Sequence, residues 1–157
     1  MTKFLPPILF ILASQLAGII GSFFTVNSVR TWYLDINKPV FNPPSWIFGP
    51  VWITLYTLMG IAAYLVWRNW GDNNIAKYAT ILFFVHLLFN SLWSILFFGF
   101  QNPALAFFEI IILWLMILAL IILYYQVNKT AAYLLIPYIL WVSFASILNF
   151  SIWRLNL

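Results

Sequence analysis

The residues that could do chemistry in this chain are few, and they fall inside long apolar runs. The single histidine, His86, is followed by Asn90 and Ser94 at i+4 and i+8, a spacing that puts all three on one helix face. Two readings of that stripe stay open. Polar side chains in a membrane helix face the bundle interior, where they form an interhelical hydrogen-bond seam worth about 1 kcal/mol per bond. Alternatively, His86 and Asn90 line a cavity and bond a ligand carbonyl or carboxylate. A lone imidazole also ligates haem iron in other settings, but no second ligand accompanies this one.

Glu109 lies about two turns into another apolar run, where charge is expensive. It is either protonated or paired with a residue near the membrane surface, and a structural role is the expectation. A proton relay would need further carboxylates within the apolar runs, and there are none. The remaining candidates are aromatic: 9 Trp, 8 Tyr and 16 Phe. Trp67, Trp70 and Trp153 fall near the ends of apolar runs, as interfacial anchors do. Trp52, Trp93 and Trp141 fall deeper. A buried indole usually finds an acceptor for its N–H. Facing indoles could hold a flat apolar ligand, although core packing explains such residues more often.

Several chemistries are excluded by what is missing. No Ser/His/Asp arrangement, carboxylate pair, glycine-rich phosphate loop or cluster of metal ligands occurs, so hydrolase, kinase and metalloenzyme functions are not expected. No lysine lies mid-run to carry a Schiff base to retinal. Cysteine is absent, which removes disulfides and thiolate metal sites.

The elements that position these residues follow from composition. The chain is 65% hydrophobic and 6% charged, whereas soluble domains carry about a quarter charged residues. It reads as an integral membrane protein. The net charge of +4 forms no basic stripe, which suits anionic lipid headgroups rather than nucleic acid. Lys3 and the following apolar run lack a small-residue cleavage site, so a retained first span is expected. Charges punctuate the rest, and each uncharged interval holds the roughly 20 apolar residues that cross a bilayer as a helix. The spans predicted are 5–26, 46–68, 77–99, 104–127 and 131–153, an all-α bundle of five transmembrane helices forming one domain over 1–157. Turns at Gly71-Asp72-Asn73-Asn74, Gln101-Asn102-Pro103 and Val127-Asn128-Lys129-Thr130 make consecutive helices antiparallel neighbours. Lys3, Arg68, Lys77 and Lys129 fall on one side, against Arg30, Lys38 and Arg154 on the other. That is too small a bias to orient the bundle. Ala13, Ala17 and Gly21 give the first span a face for close helix packing.

The longest connection, 27–45, leads into a stretch unlike the rest. Thr31 to Trp52 holds four of the eight prolines (Pro39, Pro43, Pro44 and Pro50) and three of the nine tryptophans (Trp32, Trp46 and Trp52). Proline fixes φ and Trp is amphipathic, so a stiff lid folded over the mouth of the bundle is expected.

These residues carry a resemblance. Trp32-Tyr33, Lys38-Pro39, Pro43-Pro44 and Pro50-Val51-Trp52 resemble the first loop and second helix of the translocator protein family, also called the tryptophan-rich sensory protein or peripheral-type benzodiazepine receptor family. Phe89-Asn90-Ser91-Leu92-Trp93 with Phe97-Phe98-Gly99 match its third helix. Pro137-Tyr138-Ile139-Leu140-Trp141, Phe144-Ala145, Leu148-Asn149 and Trp153-Arg154 match its last, so the likeness runs in order from about Thr31 to the end. It implies a bacterial-type member, a homodimer of multi-pass subunits in the cell envelope, and a pocket under the first loop. The ligands implied are tetrapyrroles (protoporphyrin IX, with haem a further candidate), sterols and other lipids, and benzodiazepine or isoquinoline carboxamide drugs. No cofactor is required.

By position the pocket would include Tyr33, Pro43, Trp52, Asn90, Trp93, Trp141, Phe144 and Ala145, with His86 added from its polar stripe. Trp52 and Trp141 match the pair tied to light- and oxygen-dependent breakdown of protoporphyrin IX in bacterial relatives. Three departures stand out. Phe41 replaces the usual Trp before the proline pair, softening the lid. His86 replaces the commoner Gln or Asn, making any ligand bond there pH-sensitive. Phe150 replaces the Tyr of the sterol pattern between Leu148 and Arg154, so cholesterol is not expected. The leading reading is a membrane receptor or sensor for tetrapyrroles with slow porphyrin degradation as a secondary activity. A porphyrin or lipophile transporter is one alternative, though there is no internal repeat or membrane-embedded ion pair to drive one. A non-catalytic scaffold for partner proteins is the other.

Overall fold

The computed structural model of the protein describes residues 5–157; Lys3 lies outside them. Helix α1 runs over Leu5–Val29, with Pro6 and Pro7 in the first turn, where backbone N–H groups have no intrahelical acceptor. A short helix α2, Trp32–Asp35, follows in the loop. A 3₁₀ turn, Ser45–Ile47, leads into α3, Phe48–Trp67. Helix α4 spans Asn74–Ser94 and continues as a π-helical turn, Ile95–Gly99. Helix α5 is Pro103–Val127. The last span is two pieces, α6 (Lys129–Leu134) and α7 (Ile136–Leu155). Five stretches among the described residues are long and apolar enough to cross a membrane: Leu5–Val29, Ser45–Trp67, Asn74–Gly99, Pro103–Val127 and Lys129–Leu155. The five-helix bundle expected from sequence is the fold observed.

Local chemistry explains the boundaries. Asn73, Asn102 and Asn128 each turn a side-chain oxygen onto backbone N–H groups of the helix that follows, satisfying donors that a helix start leaves unpaired. Pro103 sits directly after the Asn102 cap. Pro137 has no N–H and its ring crowds the carbonyl four residues back. The last span therefore breaks before it, with the Leu135 N–H bonding Ala132 O at 3.1 Å instead of continuing the α-helical ladder. Gln101 takes a left-handed φ of 52°, which turns the chain sharply between the π turn and the Asn102 cap.

Packing order differs from chain order. α1 lies against α3 and α4, α4 against α5, α5 against α6 and α7, and α6 against α3. The spans thus close in the order first, second, fifth, fourth, third. Glycines permit the tightest approach. A Cβ on Gly60 would fall 2.5 Å from the Ile11 Cα, and one on Gly18 would fall 2.3 Å from the Tyr56 ring. In the small-residue face of α1, Ala17 and Gly21 are buried, and the Ala17 carbonyl accepts from Ser91 Oγ at 3.0 Å. That face packs within the subunit.

The first loop is more structured than a plain connection. Lys38 Nζ donates to the carbonyls of Tyr33, Leu34 and Ile36, closing the C-terminus of α2. Asn37 and Asn156 clasp each other: Asn37 N–H donates to Asn156 Oδ1 and Asn156 Nδ2 to Asn37 O, both at 2.9 Å. The Phe41 ring meets Phe144 edge-on at 6.4 Å. The Asn37–Asn156 clasp fastens the loop to the end of α7, and the Phe41 contact holds it against the middle of that helix.

Candidate functional site

A cavity of about 510 Å³ lies beneath this loop. Its wall comes from α1, α3, the end of α4 with its π turn, and α7; Tyr33 of α2 contributes from the loop. The π turn matters for the wall. Its wider winding shifts register by one residue and turns Phe97 and Phe98 onto Tyr33, 6.3 and 5.7 Å away. The Tyr33 hydroxyl donates to Asn42 Oδ1 at 2.7 Å, and burial pushes its pKa up to about 12 against a smaller opposing effect of that bond.

Of the residues expected from sequence, Tyr33, Trp52, Trp93, Trp141, Phe144 and Ala145 line the cavity. The tryptophans differ in their N–H groups. Trp93 stacks on Phe97 at 5.2 Å and donates to Asn149 Oδ1 at 3.0 Å, while Asn149 Nδ2 donates to Pro103 O. Trp93 is thus committed to joining α4, α5 and α7. Trp52 stacks on Tyr56 at 5.4 Å, and Trp141 lies 5.5 Å from Phe144 and 6.2 Å from Phe48. Neither indole N–H has an acceptor among the described residues, and both side chains belong to the cavity wall.

His86, Asn90 and Pro43 lie elsewhere. His86 is fully buried and joins α4 to α7 and α3 through a continuous run of bonds. Tyr56 Oη donates to Asn90 Oδ1, and Asn90 Nδ2 donates to Tyr138 Oη at 2.8 Å. Tyr138 Oη lies 2.8 Å from His86 Nε2, and His86 Nδ1 lies 3.1 Å from Phe83 O. A carbonyl only accepts, so Nδ1 carries the hydrogen and Nε2 accepts from Tyr138. Every member is satisfied. The interhelical seam is the arrangement found, and it sits behind Tyr56, which alone of these residues also faces the cavity. Ser94, third in the stripe, does line the cavity. Pro43 is half-buried in the loop, its carbonyl accepting from Asn42 Nδ2. Glu109 is 5% exposed, and neither of its oxygens has a partner among the described residues.

Sequence reasoning missed the contribution of α1. Gln15, Ile19, Ser22, Thr25, Val26 and Arg30 all border the cavity, and no motif marks them. Ile19, Val26 and Ile53 line it yet are 51%, 49% and 60% exposed. The cavity therefore communicates with the lipid-facing surface between α1 and α3. Gln15 Nε2 closes the lower edge of this gap by donating to Ile53 O and Thr57 Oγ1, both at 3.0 Å.

This aromatic cavity under a loop, in a five-span bundle, coincides with a family match over nearly the whole chain: the TspO/MBR family profile covers residues 10–154. The chain belongs to the TspO/MBR family. It is similar to the tryptophan-rich protein TspO of Archaeoglobus fulgidus, 48% identical over 148 residues, 93% of this chain and 94% of that one. It is 36% identical to the human translocator protein over 152 residues, covering 96% and 90% of the two chains. A tryptophan-rich sensory protein of Cereibacter sphaeroides is 38% identical over 126 residues, 80% and 77% of the two chains. With five membrane-length helices, this TspO/MBR member is a multi-pass integral membrane protein.

Proposed function

We propose that this protein is a membrane receptor or sensor that binds tetrapyrroles, protoporphyrin IX first among them, in the cavity under its first loop. One observation carries the reading. Trp52 and Trp141, whose N–H groups have no acceptor among the described residues, line a cavity of about 510 Å³, within the range of roughly 300–1,000 Å³ typical of pockets that enclose a small molecule. A macrocycle offers the complementary features, namely a flat apolar face for stacking and polar edge atoms for the indoles. The gap between α1 and α3 suits a ligand that first partitions into the bilayer. The relatives' names, translocator protein and tryptophan-rich sensory protein, support a ligand-responsive role. A homodimer is part of the same proposal.

Light- and oxygen-dependent breakdown of bound protoporphyrin IX is proposed as a secondary activity, with Trp52 and Trp141 the electron-rich groups beside the ligand. The test is a titration of the detergent-purified protein with protoporphyrin IX, followed by illumination in air. Saturable quenching of tryptophan fluorescence with protein-dependent loss of porphyrin absorbance supports both parts. Quenching without bleaching leaves the receptor and removes the degradation. Absence of saturable quenching refutes the tetrapyrrole reading.

A further inference from the structure

Three cations gather at the loop end of the bundle: Arg30, Lys38 and Arg154. Lys38 spends its donors on three backbone carbonyls. Arg154 is exposed at the end of α7 and does not border the cavity. Arg30, exposed as well, does border it. Its guanidinium has no acceptor among the described residues, and it forms no ion pair with Asp35, the acidic residue of the first loop. The rest of the wall is mostly apolar, and the two hydroxyls of α1 on it are occupied: Ser22 Oγ bonds Ile19 O and Thr25 Oγ1 bonds Gly21 O.

An uncommitted guanidinium at the rim of an apolar cavity has a definite chemical complement. Its fork of donors matches a carboxylate, and the adjoining cavity takes an apolar body. We propose that Arg30 is a specificity-determining residue that selects amphipathic carboxylates, holding the acid group at the membrane surface while the body of the ligand enters between α1, α3 and α7. This deepens the tetrapyrrole reading and rests on it: protoporphyrin IX carries two propionates on one edge of an otherwise apolar ring. The loop-end placement sets the ligand's direction, with a propionate toward Arg30.

The experiment compares protoporphyrin IX with its dimethyl ester, which keeps the ring and removes both charges, on the full-length protein and on Arg30→Gln and Arg30→Lys. The unaltered protein should prefer the free acid by about five- to tenfold, the size of one partly exposed charge-assisted contact. That preference should shrink with added salt. Arg30→Gln should abolish it by weakening the acid alone, and Arg30→Lys should keep part of it. Ester binding that stays unchanged in Arg30→Gln shows that the variant is folded and its cavity intact. An acid preference that survives Arg30→Gln overturns the assignment to Arg30 and leaves the cavity reading standing. Equal binding of acid and ester to the unaltered protein also overturns it, as does a matched loss of both ligands in Arg30→Gln, expected if Arg30 only anchors lipid phosphate. Failure of both ligands to bind the unaltered protein overturns the tetrapyrrole reading itself.

Discussion

Replacing Tyr138 by Phe removes one oxygen from the polar seam while keeping the ring that fills the core. That oxygen accepts from Asn90 Nδ2 and donates to His86 Nε2, each at 2.8 Å. Its loss leaves two groups unpaired on residues that are 0% and 4% exposed. Interhelical hydrogen bonds in membrane proteins average about 0.6 kcal/mol and reach about 1.7. Two of them together give a destabilisation of about 1–3 kcal/mol. The assay is equilibrium unfolding in mixed micelles titrated with dodecyl sulfate, followed by helical circular dichroism. Asn90→Leu and the Tyr138→Phe/Asn90→Leu double variant complete a cycle. Because the two side chains are bonded, their effects should fall short of additivity by roughly 0.5 kcal/mol or more. Porphyrin affinity should hold in Tyr138→Phe, since Tyr138 lies behind the cavity wall. Additive effects, or a stability loss under about 0.3 kcal/mol, would refute the claim that this seam binds α4 to α7.

Further outcomes follow from other contacts. Gly60→Ala forces a methyl to 2.5 Å from the Ile11 backbone and should cost about 1–3 kcal/mol in the same assay. Gly49→Ala meets nothing within 4 Å and should be neutral or slightly stabilising; equal effects would contradict the close approach of α1 and α3. Asn156→Ala breaks the clasp with Asn37 and should speed amide exchange across residues 36–44 without altering helix content, whereas unchanged exchange would show that the loop is fastened elsewhere. Tyr33 is an acid whose folded pKa is raised from 10.0 to about 12 by burial. Its stabilising contribution is therefore full below about pH 10 and lost as pH rises toward 12. The tyrosinate absorbance missing from Tyr33→Phe should titrate near 12, and a midpoint near 10 would contradict burial of the hydroxyl.

The spans were legible because a bilayer leaves few options: backbone groups must pair within continuous apolar helices, and every charge but Glu109 falls between them or in their end turns. The largest departures are three residues, at Val29 against an expected 26 and at Asn74 against 77. Ring order was not legible. It depends on where backbones approach, and nothing in the pattern distinguishes Gly18 and Gly60, which need their lack of a side chain, from Gly49, which does not. The stripe of His86, Asn90 and Ser94 shows a second limit. Each four-residue step overshoots one turn by about 40°, so over eight residues the stripe winds from the seam with Tyr138 round to the cavity. Periodicity named the face, but only packing divided it. The same holds for the tryptophans. Trp52, Trp93 and Trp141 are alike in sequence, and Asn149, fifty-six positions from Trp93, decides which indole is committed to the scaffold. Arg30 could be counted as a loop-end cation but not chosen over Lys38, because Lys38 is occupied by loop carbonyls that only the folded chain brings together.

The central claim is that the unpaired indoles of Trp52 and Trp141 hold a tetrapyrrole while Trp93 serves the scaffold. The most direct test measures protoporphyrin IX affinity by porphyrin fluorescence anisotropy in Trp52→Phe, Trp141→Phe and Trp93→Phe. Loss of one hydrogen bond costs about 1 kcal/mol, so Trp52→Phe and Trp141→Phe should each weaken binding about fivefold with little change in stability. Trp93→Phe should lower stability and leave the affinity of the folded fraction close to that of the unaltered protein. Unchanged affinity in both Trp52→Phe and Trp141→Phe would contradict the account.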